Sequence, residues 1–193
     1  MAINPGNFPF NPLDHFFYPP AQPIDPPAGD FLFDLYSLLR NAPPTIGPWP
    51  RQRTFEAAAD ALYPWRIVAI SIDAIRHVAN LQGAAGLRRA HAVSRNQRYL
   101  SIFGQEAQPL TRAELLNFFF QNDTCALVTT VENATDGFAH WSNLFSVAPP
   151  YFQAAAGRFR APVRLGLEVP WAVNMLLRIN SGDVLPGWVA DAQ

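Results

Sequence analysis

Arginine and histidine are concentrated in one stretch, Arg88-Arg89-Ala90-His91-Ala92-Val93-Ser94-Arg95-Asn96-Gln97-Arg98. It holds four of the fourteen basic residues and one of the four histidines of an otherwise apolar chain. On a helix, Arg88, His91, Arg95 and Arg98 fall at i, i+3, i+7 and i+10 and share one face. An imidazole set in a row of guanidiniums suits a phosphate or another anion. The alternative is a solvated basic face with no ligand.

Two further features can join this stretch. Glu132-Asn133 stands at the end of the apolar run Cys125–Val131, and His140 lies in the loop that follows. Polar residues just past apolar strands are where a rigid scaffold presents chemistry. His91, Glu132 and His140 are therefore the catalytic candidates, with Arg88, Arg95, Arg98 and Asn133 as substrate contacts. Two imidazoles and a carboxylate supply a general acid, a general base and an orienting group, while arginines stabilise charge on a transferring phosphate. The same three residues can hold a divalent metal, although separations of 41 and 8 residues match no metal-ligand motif. Without a ligand, Glu132 pairs with an arginine and His140 packs beside Trp141. His15 reads as a packing histidine, and His77 as a partner for the negative end of a helix.

Arg89-Ala90-His91-Ala92-Val93-Ser94-Arg95, a helix with an acidic cap, and Ala126-Leu127-Val128-Thr129-Thr130-Val131-Glu132-Asn133 together resemble parts of histidine-based nuclease domains. Such domains form the variable carboxyl-terminal warheads of bacterial polymorphic toxins. The resemblance covers about residues 88–145. It implies candidate catalytic roles for His91, Glu132 and His140. The HNH pattern is missing, since no second histidine stands beside His91, and no metal is carried over.

Composition bounds the partners. Hydrophobic residues make up 49% and charged residues 15% of the 193, an apolar excess that needs a deep core or a partner. All fourteen basic residues are arginine, and the net charge of −1 argues against a protein that coats nucleic acid. Cys125 is the only cysteine, so an intrachain disulfide and a cysteine metal cluster are excluded; its apolar setting predicts a buried structural thiol. No apolar run reaches the ~20 residues of a membrane span, and Met1–Pro5 lacks the start of a signal peptide. The expected location is cytoplasmic, or a target cell reached without a classical signal.

Certain elements must position these residues. Most of the nineteen prolines fall within residues 1–50, interleaved with Phe8, Phe10, Phe16, Phe17, Tyr18, Phe31 and Phe33. That composition predicts an extended aromatic arm lying across the core or on a partner, interrupted by a short helix capped by Asp30. Helices follow over residues 54–61 and 65–82, with a strand over 66–72 as the competing reading of the second. Thr111-Arg112-Ala113-Glu114 has the form of a capping box and starts a helix. Strands are expected over 125–131, 144–147 and 160–169, then a helix over 171–179. The whole reads as an arm, residues 1–50, and a globular α+β domain, residues 51–193, with a small, mainly antiparallel sheet packed with helices.

Two functions of different kind fit. One is a toxin-like or effector-like hydrolase cleaving a phosphodiester, in RNA before DNA, with an inhibitor or carrier protein held at the arm. The other is a noncatalytic interaction or assembly protein that uses the Phe/Pro arm and the arginine patch. Transfer chemistry on a nucleotide such as NAD is a third, but no glycine-rich phosphate loop supports it.

Overall fold

The computed structural model describes residues 25–63, 66–80, 83–91, 95–121, 124–134, 143–153 and 161–187. The elements run α1 (Pro26–Arg40), α2 (Pro48–Leu62), β1 (Arg66–Ser71), α3 (Ile72–Ala79), β2 (Leu87–His91), α4 (Arg95–Phe103), α5 (Arg112–Gln121), β3 (Thr124–Thr129), α6 (Thr130–Ala134), β4 (Leu144–Ser146) and α7 (Glu168–Asn180). The fold is α+β.

Local chemistry explains most boundaries. Prolines open α1 and α2, where a missing amide costs nothing. Helix α1 therefore begins a turn before Asp30, which does not cap it and instead accepts from Nε of Arg112 at 2.5 Å. Before α5, Glu114 Oε2 accepts from the Thr111 amide at 2.8 Å, and Thr111 Oγ1 accepts from the Glu114 amide at 3.3 Å. This is the reciprocal cap expected from the sequence. The Thr111 amide and hydroxyl hold the Glu114 carboxyl below its ordinary range.

The sheet has the order β2-β3-β1-β4. Strands β1 and β3 are parallel neighbours, while β2 pairs antiparallel with β3 and β4 antiparallel with β1. The two central strands are buried almost throughout, as strands covered on both faces must be. Helix α3 packs on both of them and is itself covered by α7. Helix α1 packs on α2 and α5, and α2 on α4. Leu32, Tyr36, Phe55, Ile67, Ile70, Ile75, Leu115, Leu127 and Phe145 belong to one continuous core.

Three sequence expectations change. Residues 65–82 are not one helix: the β-branched run Arg66–Ser71 is a strand, and a helix starts only at Ile72. Residues 161–167 form a turn-rich connection rather than a strand, and Glu168 already begins α7. Helix α1 places Leu32 and Tyr36 in the core, and residue 50 falls inside α2, so residues 25–50 belong to the globular body. Residues 1–24, with His15, lie outside the described residues. No described helix is long and apolar enough to cross a membrane.

Candidate functional site

The basic stretch is not a single helix face. Arg88, Arg89 and His91 stand on β2, whereas Arg95 opens α4 and Arg98 lies one turn further on. The strand breaks the i, i+3, i+7 alignment, because successive strand side chains alternate between faces.

Helix α2 answers two of these charges. Asp60 lies 3.9 Å from Nη2 of Arg89, and Glu56 lies 3.1 Å from Nη2 of Arg98. Glu56 and Asp60 are one turn apart and so present a paired acidic ridge. Arg98 is only 4% exposed. It lines a cavity of about 20 Å³ with Gln52, Phe55, Glu56, Ile102, Phe118 and Phe119. Its walls are almost wholly apolar. Oε1 of the buried Gln52 borders it without a hydrogen-bond partner among the described residues. A cavity this small does not admit a nucleotide.

Other arginines serve as braces. Arg51 donates to the carbonyls of Arg40, Ala42, Pro43 and Ile46 and so closes the α1–α2 turn. Arg40 donates to Ile102 and Ala107 at the end of α4. A planar fork of five donors is well suited to collecting loop carbonyls.

The remaining candidates meet at the carboxyl edge of the parallel pair. Strands β1 and β3 both end there, at Ser71 and Thr129, and β2 and β4 both start there. Glu132 Oε2 accepts from Ser71 Oγ at 2.7 Å, from the Thr129 amide at 2.8 Å and from Thr129 Oγ1 at 2.9 Å. Ser71 Oγ in turn accepts from the Ala74 amide and caps α3. The buried carboxylate thus joins the first turns of α3 and α6. Asn133 is exposed beside it, and Arg88 is exposed one residue inside the same edge.

His91 is elsewhere. It pairs with Cys125, while Leu87 pairs with Thr129. Four residues of strand, about 13 Å at ~3.3 Å each, separate its backbone from the Glu132 end. The backbone positions of Arg88, Glu132 and Asn133 thus fall at one edge of the sheet, His91 stands at the other end of β2, and Arg98 is held on Glu56. His140 lies outside the described residues; the chain on either side of its loop, Ala134 and Asn143, is at the carboxyl edge, where the Asn143 carbonyl accepts from the Ile72 amide.

The edge also holds a histidine that sequence reasoning set aside. His77 Nε2 is 3.1 Å from the Gly83 carbonyl, and its ring lies against Gly86, whose carbonyl accepts from the Thr130 amide and hydroxyl. Gly83 and Gly86, closely following a helical histidine, were the available signal. Among the described residues no group of three or more histidine, cysteine, aspartate or glutamate side chains is placed to hold a metal. No family model, curated protein or solved structure matches this chain.

A second buried carboxylate was missed altogether. Glu168 accepts from the Phe152 amide at 3.0 Å, from the Arg164 amide at 2.8 Å and from the Arg164 guanidinium. It holds the Tyr151–Phe152 corner, where Phe152 has φ +58°, against α7, and both rings pack on Trp171. Burial raises its pKa, but the Arg164 hydrogen bonds, the two amides and the Arg164 charge together outweigh this and lower it. Arg164 and Glu168 are only four residues apart, but the Phe152 amide reaches the carboxylate only through the closing of the chain.

Proposed function

We propose that this chain is a noncatalytic interaction or assembly protein. The observation that carries the reading is the pairing of Arg89 with Asp60 and of Arg98 with Glu56, which turns half of the basic stretch into internal scaffold. Large apolar side chains remain on the outside, among them Phe31 and Leu38 on α1 and Val173 and Leu177 on α7. Exposed apolar surface on helices is a basis for protein contact.

Purified protein incubated with RNA and with DNA, with a divalent metal and with a chelator, should leave both intact. Cleavage that copurifies with the protein and is lost in Glu132→Gln or His77→Ala, with the fold retained, would replace this reading by the hydrolase.

That second reading has its own support at the carboxyl edge, where ligands of open α/β sheets commonly bind. Arg88, Glu132, Asn133 and His77 lie there, together with both anchors of the loop carrying His140. In this version a toxin-like phosphodiesterase uses His77 rather than His91. RNA is its first expected substrate, and any divalent metal would draw on that edge.

A further inference from the structure

Four of the large hydrophobic side chains exposed on the described surface fall within nineteen residues: Phe31 at 53%, Leu38 at 70%, Ile46 at 42% and Trp49 at 58%. Phe31, the half-buried Leu35 and Leu38 follow one another at i, i+4 and i+7, and so form a stripe along the outer face of α1. The opposite face is the buried one, with Gly29, Leu32 and Tyr36. Ile46 and Trp49, both exposed, follow in the α1–α2 connection and the first turn of α2. Arg51 fixes them there by holding the carbonyls of Arg40, Ala42 and Ile46 in one turn. Arg53 stacks at 5.0 Å on the Trp49 ring and steadies it in an exposed position.

We propose that this face is the docking site of the chain's own residues 1–24. Three observations select that occupant. The segment enters the fold at Asp25, directly at the start of the stripe. Its composition matches the face: Phe8, Phe10, Leu13, Phe16, Phe17 and Tyr18 alternate with six prolines, there is no arginine, and Asp14 is the only acidic residue. Its length also fits. The fifteen residues of α1 span about 22 Å at ~1.5 Å each. An extended proline-rich chain covers about 25 Å in eight residues at ~3.1 Å each. Running back from Asp25 along α1, it reaches the level of Leu38 with Phe16-Phe17-Tyr18. Proline-rich chains seat on exposed aromatic rings, because their rigid backbone loses little entropy on binding. The inference rests on the interaction reading only in treating this face as a binding surface. On that basis a partner protein would compete with the arm for it.

The test uses the full chain and the double variant Phe31→Asp/Leu38→Asp, whose sites are exposed enough to leave the core intact. Circular dichroism and sedimentation accompany every measurement. Chymotrypsin should cut after Phe10, Phe16 and Phe17 at least about tenfold more slowly in the wild-type monomer than in the variant, by the usual coupling of cleavage to an open population. Hydrogen exchange over residues 13–18 should accelerate by a similar factor in the variant. Equal cleavage and exchange in the two proteins would overturn the proposal. So would protection that appears only with rising concentration and a doubled mass, since a second copy would then be the occupant. An unprotected arm on a wild-type protein that self-associates, where the variant does not, ends this proposal and leaves the interaction reading standing. An unprotected arm with no association in either protein counts against both.

Discussion

The Ser71 hydroxyl donates a 2.7 Å hydrogen bond to Oε2 of Glu132, and this contact ties together the ends of the two parallel strands. Ser71 caps α3 and Glu132 closes a capping box with Thr129, so one carboxylate oxygen serves two helix starts. Removing it strands the Ser71 and Thr129 donors. Glu132→Ala should therefore destabilise the fold by about 1–3 kcal/mol, read from urea unfolding, with Thr129→Val costing roughly 0.5–2 kcal/mol. A Glu132→Ala variant of wild-type stability would show that the clamp carries no weight.

Arg98 and Glu56 act as a buried pair. Arg98→Met alone removes the cation from Glu56, which keeps its hydrogen bond from Gln52 Nε2, and should cost about 1–3 kcal/mol, as should Glu56→Gln in part. The double variant should recover much of that loss, since no uncompensated charge remains. Additive losses in the cycle would count against a direct coupling.

Glu168 predicts the acid limb of stability. Its folded pKa lies below the unfolded value of about 4.3, so its contribution is complete above that pH. It is lost as the pH falls through the lowered folded value, because the unfolded chain then binds the extra proton. Glu168→Gln should flatten the Tm-versus-pH curve below about pH 4.3 while lowering Tm at neutral pH. An unchanged acid limb would contradict the assignment. Glu168→Ala should also strand the buried Phe152 amide, at about 1–3 kcal/mol.

Gly86 has no room for a side chain while His77 keeps its place. A Cβ there would come within 2.3 Å of the His77 ring. Gly86→Ala should cost about 1–3 kcal/mol through overpacking. Adding His77→Ala should return part of it, and a double-mutant cycle on chemical denaturation gives the coupling. No recovery in the double variant would place the cost in the Gly86 backbone instead.

The sequence alone determined what depends on residues close in the chain. Thr111 and Glu114 meet across three residues, so their cap is legible in the S/T-x-x-E pattern. The apolar runs 125–131 and 144–147 contain β3 and β4 to within a residue or two. Tertiary structure decided the rest. Arg66–Ser71 is short, apolar and β-branched, a pattern shared by buried strands and buried helix segments; pairing with Thr124–Thr129 on one side and Leu144–Ser146 on the other selects the strand. The pairings Arg98–Glu56, Ser71–Glu132 and Phe152–Glu168 join residues far apart in the chain, and charge or spacing cannot nominate one carboxylate over another. His91 looked central because arginines flank it in sequence. A strand turns such neighbours to alternate faces, and the sheet register carries His91 to the end opposite Glu132.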